Sequence, residues 1–381
     1  MAHVLVLGGG FGGLAAAHEL RRLLPPDDEV TVIASTDQFF VGFAKLWDIA
    51  GMRPLSEGSR PLDGLGRHGI QYLQAEITAI DPATRTVETS VGTLTGDGLV
   101  IALGAGYNPV HTGLLGPDAY NLYDAKALPD IRTALVGLNE GRLLVSILGA
   151  PYLCPPAPFE AALLLDEWLR ANGRRDNVEV AVTTPQPITL PVAGPDASHY
   201  LAERLEERGI TVLTEHAIES VDIATRTVRF GGGRSLDYQV LLGVPAAAPR
   251  PTVATSALAG PTGWIQPDRG TFATEVERVY AVGDCTMVPT ATAQLPKAGV
   301  FAEAEGKVAA ANLAAELHGG DGATFDGHGF CFLELPGNQV ATVTGNFYAE
   351  PRPDVVLTPP DNIGFENKRR WEQERLASWL G

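Results

Sequence analysis

Short apolar runs alternate with glycine-rich turns and helical segments in the first part of the chain. Residues 4–7 (VLVL) have the uninterrupted apolar pattern of a buried strand, and the glycine-rich stretch 8–13 (GGGFGG) follows directly. A helix is predicted from residue 14 to about residue 24, where Pro25 and Pro26 end it. Residues 30–33 form the next apolar run. This strand–helix–strand order is typical of a parallel, doubly wound α/β sheet.

A repeated octapeptide indicates that the chain contains two related units. Residues 80–87 read IDPATRTV and residues 221–228 read VDIATRTV. Each copy follows a helical segment ending in Gly-Ile and a short strand, and each precedes an apolar strand, at residues 99–103 and 240–244. We interpret the copies as matching parts of two related α/β units. The alternative is a coincidence between two surface hairpins.

The pattern after residue 254 returns to the first unit. A strand is predicted at residues 278–282 and a helix at about residues 299–317, after which short strands alternate. We therefore predict an α/β fold with two Rossmann-like domains, one inserted in the other, and a small C-terminal β/α cap. The predicted boundaries are 1–107 with 255–317 for the split first domain, 108–254 for the inserted domain and 318–381 for the cap.

The glycine-rich turn has the spacing and context of a dinucleotide-binding site, because it joins a strand to a helix. Glycines permit close approach of a pyrophosphate, and the helix N-terminus offers N–H donors and a partial positive charge. The second strand ends at Ala34, where an acidic residue usually binds the ribose, so Ser35 is the predicted replacement. The predicted contacts in the turn are Gly8, Gly10, Phe11, Gly12 and Gly13.

Two further segments favour a flavin as the ligand. Residues 280–284 read YAVGD, and Asp284 beside Gly283 is placed to accept a hydrogen bond from a ribityl hydroxyl. Gly104, in the strand-ending segment IALGAG, suits close approach of the backbone. Together with the glycine-rich turn, these segments predict FAD as a built-in prosthetic group.

The inserted domain lacks the features of a nicotinamide site. Its expected phosphate turn, residues 148–156, reads LGAPYLCPP, with one glycine and with prolines that remove N–H donors. The following strand, residues 178–182, ends in Thr-Thr-Pro without an acidic residue for a ribose. We therefore expect electrons to enter from a donor other than NADH or NADPH.

Composition excludes several partners. The formal net charge of −17 disfavours nucleic acid and broad adhesion to anionic lipid. No apolar run is long enough to span a bilayer, and the eight histidines have no metal-ligand spacing, so no metal site is predicted. If Met1 is the true start, no export signal precedes the first strand and a cytoplasmic location is expected.

Three cysteines are too few for a disulfide framework. Cys154 lies where the phosphate turn of the inserted domain is expected, and Cys331 lies at the start of the cap. Both places can converge near a flavin, so the residues allow either a redox disulfide or two buried free thiols. Cys285 follows Asp284 directly, and we predict a packing position for it.

The segment CPPAPFE, residues 154–160, resembles the CPPxPxE segment of flavocytochrome c sulfide dehydrogenase flavoprotein subunits. Related sulfide:quinone oxidoreductases have a cysteine there and a glutamate six residues later, as Cys154 and Glu160 are here. The resemblance continues through Gly283-Asp284, the LPKAG segment at residues 295–299 and Cys331-Phe332, and covers nearly the whole chain.

The resemblance implies a mechanism and site residues. Hydrosulfide would attack a Cys154–Cys331 disulfide, and Glu160 would act as acid or base for the sulfur species. Pro296 and Lys297 would lie near the flavin or quinone. The expected acceptor is a quinone or a cytochrome-like protein, and the absence of an export signal favours a quinone at the inner face of the cell membrane.

Departures from the family pattern change some expectations. Gly42 stands where the flavocytochrome relatives carry a cysteine bonded to the flavin, so noncovalent FAD is predicted. The short amphipathic stretch at residues 365–380 carries Lys368, and it predicts either a membrane-interface helix or a helix that caps its own domain or a dimer partner. His199 is interpreted as a surface histidine, with sulfide capture as the alternative.

Two other functions stay open on the sequence. The first is a pyridine-nucleotide:acceptor oxidoreductase of the NADH dehydrogenase type, which an intact second phosphate turn would favour. The second is a non-enzymatic flavoprotein whose FAD stabilises a fold used for partner binding. A redox disulfide near the flavin would argue against the second.

Overall fold

The computed structural model describes residues 1–291 and 293–381. In this part of the chain, the first of two parallel five-stranded sheets has the strand order β20-β9-β1-β2-β5. Except for the edge strand at residues 71–74, its strands are nearly continuous runs of buried apolar residues, as expected for a sheet covered on both faces. The strands are β1 (His3–Leu7), β2 (Glu29–Ala34), β5 (Gln71–Gln74), β9 (Gly98–Ile101) and β20 (Val279–Ala281).

A second parallel five-stranded sheet is built from the middle of the chain, with the order β11-β18-β12-β13-β14. Its strands are β11 (Ala119–Asn121), β12 (Gly141–Ile147), β13 (Val178–Thr183), β14 (Thr211–Leu213) and β18 (Val240–Val244). The two sheets follow the same plan. In each, three strands lie side by side in chain order, β1-β2-β5 in the first sheet and β12-β13-β14 in the second. A later strand, β9 or β18, then pairs with the free side of β1 or β12.

The octapeptide repeat marks the same structure twice. Each copy spans the first turn of a three-stranded antiparallel sheet, and Arg85 and Arg226 at the end of that turn share a left-handed backbone, with φ of 54° and 50°. This confirms the prediction of two related α/β units. The strands are β6 (Ile77–Asp81), β7 (Thr86–Thr89) and β8 (Gly92–Thr95), and β15 (Ile218–Asp222), β16 (Thr227–Phe230) and β17 (Arg234–Asp237).

Two short antiparallel pairs and a three-stranded sheet complete the strands. The pair β10 (Ala105–Tyr107) and β19 (Ala247–Pro249) lies where the chain enters and leaves the second sheet. The pair β3 (Gln38–Phe40) and β4 (Ser59–Pro61) lies beside the first sheet. The C-terminal sheet consists of β21 (His328–Leu335), β22 (Gln339–Asn346) and β23 (Asp354–Asp361).

Helices cover the sheets, and the closest helix pair involves the glycine-rich turn. A Cβ on Gly306 would lie 2.3 Å from the carbonyl oxygen of Gly12, so α1 and α8 pack with their backbones nearly touching. The helices are α1 (Phe11–Leu23), α2 (Ala44–Ile49), α3 (Pro109–Thr112), α4 (Leu128–Gly137), α5 (Ala157–Ala171), α6 (Gly194–Glu207), α7 (Pro251–Ala254), α8 (Gly299–His318) and α9 (Asn362–Leu380).

Candidate active site

A cavity of about 650 Å³ lies where the first sheet, helix α5 and the C-terminal sheet meet. Its size is within the range of cofactor and ligand sites. The predicted site residues that line it are Gly8, Gly10, Phe11, Gly12, Ser35, Gly104, Cys154, Glu160, Gly283, Asp284, Lys297 and Cys331. Gly13 instead packs against Gly8, and Pro296 lines a neighbouring cavity of about 10 Å³.

The glycine-rich turn fits the pyrophosphate of FAD. Gly8 has φ of +118°, and a Cβ there would lie 2.2 Å from the carbonyl oxygen of Ala102. A Cβ on Gly13 would lie 1.9 Å from the carbonyl oxygen of Gly8, whereas one on Gly10 would meet no protein atom within 4 Å. Two glycines are therefore required by the turn itself, and Gly10 leaves room for a ligand at the N-terminus of α1.

Asp284 offers a carboxylate at another wall of the cavity. Burial raises its pKa, and the charge of Lys297 opposes that rise. The ammonium of Lys297 donates to the carbonyl oxygens of Asp284 and Thr286 at 2.8 and 2.7 Å, and burial lowers its pKa. The N–H of Gly283 donates to Glu305 at 2.5 Å, which fixes the turn. The Asp284 carboxylate thus stays available to a ligand hydroxyl.

The two candidate redox cysteines line the same cavity, although they come from different parts of the chain. Cys154 lies just before α5 with φ of +46°, held by its N–H to the carbonyl of Lys297 at 2.9 Å. Cys331 lies on β21, and both cysteines are unbonded in the structure. Burial raises the pKa of each thiol to about 12, and the negative charges of Cys154 and Glu160 add to the rise at Cys331.

Glu160 belongs to a buried charged cluster beside Cys154. Its carboxylate accepts from the Lys368 ammonium at 3.0 Å and from the backbone N–H of Glu334 at 2.7 Å. Lys368 also donates to the Glu334 carboxylate at 2.7 Å, and the indole N–H of Trp47 donates to the same group. Burial raises the pKa of Glu160, and Lys368 opposes that rise. Burial lowers the pKa of Lys368, but the two carboxylates outweigh it and raise that pKa.

A third lysine, Lys45, lines the cavity together with Lys297 and Lys368. The Lys45 ammonium donates to the carbonyl oxygen of Tyr123 at 2.6 Å and lies 5.5 and 5.9 Å from the ring centres of Tyr123 and Phe40. Burial lowers the pKa of Lys45 to about 8, while Cys154 and Asp124 act in the opposite direction.

An aromatic wall closes the cavity toward the C-terminal sheet. Trp371 stacks on Phe11 with ring centres 5.3 Å apart, and Phe332 meets Trp371 edge-on at 6.1 Å. Phe330 packs against Phe332 at 5.1 Å. These four rings line the cavity next to Cys331, and they give a flat organic ligand an apolar surface.

The phosphate turn expected in the inserted domain is filled by protein. A Cβ on Gly149 would lie 2.3 Å from the ring of His111. The Nδ1 of His111 accepts from the N–H of Ala246 at 3.0 Å, which holds the ring in place. The side chain of His111 therefore occupies the space beside the one glycine that remains in this turn.

Three other residues considered in the sequence have clear positions. Cys285 is fully buried, and its thiol donates to the carbonyl oxygens of Ile101 and Val282, so its predicted packing position is confirmed. His199 has a side chain that is 78% exposed and pairs with Glu203, as a surface histidine does. Gly42 lines the cavity. That FAD is bound noncovalently, because Gly42 replaces a flavin-bonding cysteine, stays a prediction.

The C-terminal helix packs on its own chain. Phe365, Leu376, Trp379 and Leu380 are buried, and Trp379 meets Phe11 edge-on at 5.7 Å. These side chains are covered by the chain itself, as the alternative of a helix that caps its own domain implies, and the membrane-interface interpretation stays a prediction. In the described part of the chain, no helix is long and apolar enough to cross a membrane.

Sequence reasoning missed Lys45, Glu334 and the role of Lys368. One signal was available: Phe365, Lys368, Glu372, Leu376 and Trp379 recur at three- and four-residue spacing. Such a stripe marks the inward face of a helix, so a lysine within it is expected to be buried and paired. No comparable periodicity marks Lys45 or Glu334.

Residues 2–306 match the family described as pyridine nucleotide-disulphide oxidoreductase. The chain belongs to this family. Family membership confirms the predicted fold class and the prediction of an FAD-dependent oxidoreductase.

Similar proteins include a sulfide:quinone oxidoreductase and an NADH dehydrogenase-like protein. A mitochondrial sulfide:quinone oxidoreductase of Mus musculus is 25% identical over 302 residues, which cover 75% of this chain and 66% of the mouse protein. The match thus spans slightly less than two thirds of the relative. An NADH dehydrogenase-like protein of Mycobacterium tuberculosis is 40% identical over 111 residues, covering 28% of this chain and 27% of that protein.

The fold is close to that of a solved sulfide:quinone oxidoreductase from Aquifex aeolicus. The TM-score is 0.89 with 22% sequence identity, and the match covers 100% of this chain and 92% of that chain. This likeness establishes the arrangement of two Rossmann-like domains with a C-terminal cap.

Proposed function

We propose that the protein oxidises sulfide, or a related small sulfur species, through Cys154 and Cys331, and that it passes the electrons through FAD to a quinone. One observation carries the proposal: the two cysteines lie in different regions of the sequence but line the same cavity as the glycine-rich turn and Asp284. The resemblance to sulfide:quinone oxidoreductases supports the choice of sulfide as donor.

The sulfur step begins from the oxidised pair. Hydrosulfide attacks one sulfur of a Cys154–Cys331 disulfide, so that one cysteine becomes a persulfide and the other leaves as a thiolate. A second hydrosulfide takes the outer sulfur of the persulfide and leaves as a hydrodisulfide, so that both cysteines are then reduced. Bound FAD would supply the two-electron acceptor needed to return the two thiols to a disulfide.

Glu160 is proposed to hold and release the proton of the sulfur species. It lies in the same cavity as the cysteines, and its burial favours a protonated carboxyl, while Lys368 favours the ionised one. A carboxyl whose pKa is raised by burial and held back by a neighbouring cation is suited to general acid–base catalysis. The aromatic rings of Phe330, Phe332 and Trp371 are the proposed contact for the quinone.

A quinone acceptor implies contact with a membrane, and we propose a peripheral position at its cytoplasmic face. The exposed apolar side chains Val356 and Ile363, 67% and 69% exposed, lie near the junction of β23 and α9. They are candidates for that contact, since the apolar side of α9 is already buried.

Oxidation of NADH is not favoured as an alternative. The ring of His111 stands against Gly149, where the pyrophosphate of a nicotinamide cofactor would bind, and prolines follow. The inserted domain thus offers neither the space nor the N–H donors of a phosphate site.

Anaerobic mixing of the FAD-loaded protein with sulfide or with NADH tests the proposal. We expect sulfide to bleach the flavin absorbance rapidly and NADH to leave it unchanged. Cys154→Ser and Cys331→Ser should keep the yellow colour and lose the bleaching by sulfide. Bleaching by NADH alone, or bleaching by sulfide at full rate in Cys331→Ser, would contradict the proposal.

A further inference from the structure

Lys45 differs from the other two ammonium groups that line the cavity. Lys368 is paired with two carboxylates, and Lys297 donates to two backbone carbonyls. Lys45 donates to one carbonyl, that of Tyr123, and no carboxylate of the described residues forms an ion pair with it. Lys45 is partly buried, and a partly buried charge is costly unless an anion accompanies it.

The surroundings of Lys45 place its charge close to Cys154. Tyr123 links the two residues, because its carbonyl oxygen accepts from Lys45 and its hydroxyl donates to the carbonyl oxygen of Cys154 at 3.3 Å. Burial and the charge of Glu160 raise the pKa of Cys154, and the positive charges of Lys368 and Lys45 lower it. No such influence reaches Cys331, whose pKa responds to burial, Cys154 and Glu160.

Two acids act near this position, and neither forms an ion pair with Lys45 among the described residues. The charge of Asp124, next in sequence to Tyr123, opposes the lowering of the pKa of Lys45, and its carboxylate accepts from the backbone N–H of Lys126 at 2.9 Å. Glu160, the acid of the cavity that influences Cys154, is bound by Lys368. Lys45 is thus the cavity lysine near Cys154 that no carboxylate of the described residues binds.

We propose that Lys45 binds the anionic sulfur substrate and guides it to Cys154 rather than to Cys331. The ligand class is a small sulfur monoanion such as hydrosulfide. This inference rests on the proposed function, since it names the residue that recruits the substrate of that same site. It also assigns the point of attack, because Tyr123 links Lys45 to Cys154, whereas no such link to Cys331 exists among the described residues.

Alkylation of the reduced, FAD-loaded protein tests the inference without turnover. Iodoacetate and iodoacetamide have nearly the same size but differ by one negative charge, and mass spectrometry gives the rate of each at Cys154 and at Cys331. We expect the iodoacetate to iodoacetamide rate ratio to be higher at Cys154 than at Cys331. In Lys45→Met the ratio at Cys154 should fall about tenfold, the low end of charge focusing in clefts.

Two variants serve as controls. Lys45→Arg should keep the ratio at Cys154, because it keeps the charge. Lys126→Met, at an exposed lysine three residues after Tyr123, should change neither cysteine. Equal ratios at the two cysteines of the unaltered protein would overturn the inference, and that comparison stands even if Lys45→Met does not fold. An unchanged ratio in Lys45→Met would overturn it as well.

A failure of the proposed role of Lys45 can be told apart from a failure of the proposed function. If sulfide does not bleach the flavin of the unaltered protein, the proposed function fails, whatever the alkylation ratios are. If sulfide bleaches the flavin but Lys45→Met loses no preference for iodoacetate, only the role of Lys45 is wrong.

Discussion

The ammonium of Lys368 lies 3.0 Å from the carboxylate of Glu160, and both side chains are at most 2% exposed. The pair joins the C-terminal helix α9 to helix α5, which begins three residues after Cys154. Glu334 on β21 binds the same ammonium at 2.7 Å and lies three residues after Cys331. A single lysine from the cap therefore ties together the two segments that carry the cysteines.

Replacing Lys368 should destabilise the protein strongly. Lys368→Met leaves the carboxylates of Glu160 and Glu334 buried without their cation, and we expect a loss of about 3–5 kcal/mol in the free energy of unfolding. Urea titration of the FAD-loaded protein measures it. Lys307→Met is the control, because its pair with Glu303 involves a lysine that is 51% exposed and should cost about 1 kcal/mol or less. Equal losses in the two variants would contradict the role of Lys368.

Gly13 and Gly10 in the glycine-rich turn should respond differently to an added methyl group, because only Gly13 is packed against protein. Gly13→Ala forces a clash with the carbonyl oxygen of Gly8, so we expect a lower melting temperature and loss of FAD together. Gly10→Ala meets no protein atom, so its methyl group would enter the cavity. That variant should keep the melting temperature of the apoprotein and bind FAD more weakly.

Thermal unfolding of the apoproteins and titration with FAD separate the two effects. A Gly10→Ala variant that binds FAD as tightly as the unaltered protein would show that the ligand does not approach this position.

The two related α/β units were predictable because the sequence signals that mark them are local. Apolar strands, the GGGFGG turn and the repeated ATRTV segment each occupy fewer than a dozen consecutive residues, and each forms where it was expected. The shared place of the two cysteines needed more than local signals, because Cys154 and Cys331 line one cavity only after the C-terminal sheet folds onto α5. Resemblance to a family supplied the expectation that they belong to one site.

The charged cluster could not be read from composition. Lys368 lies among Arg369 and Arg370, so the segment reads as a basic surface, yet the helix turns Lys368 inward and leaves both arginines exposed. Lys45 has no apolar periodicity around it at all. In both cases the function of the side chain depends on which distant residues surround it, and a single sequence does not contain that information.

The thiols of the reduced pair should react slowly near neutral pH. Burial raises the pKa of Cys154 and of Cys331 to about 12, so the thiolate is a small fraction at pH 8 and grows about tenfold with each pH unit. The rate of alkylation by neutral iodoacetamide should therefore keep rising through pH 10. Mass spectrometry at several pH values measures it. A plateau below pH 9 at either cysteine would mean that the thiol is not held in its neutral form.

A last prediction concerns Asp166, the fully buried carboxylate that accepts from Arg170, Arg175 and Arg208 at the base of α5. Burial raises its pKa, but the three guanidinium groups outweigh burial and lower the pKa overall. A carboxyl with a lowered pKa in the folded state stabilises it above the unfolded pKa of about 4, and this contribution is lost as the pH falls through the folded value.

Asp166→Asn should therefore lose stability at pH 7, by about 3–5 kcal/mol as for other broken buried pairs, and should lose less as the pH falls below about 4. Urea unfolding at pH 7 and at pH 3.5 measures both values. Glu179→Gln is the matched control, since Glu179 pairs with Arg142 but is 72% exposed, and its effect should be small at both pH values. A deficit in Asp166→Asn that stays constant across the acid range would show that packing, rather than the charge of Asp166, holds the three arginines.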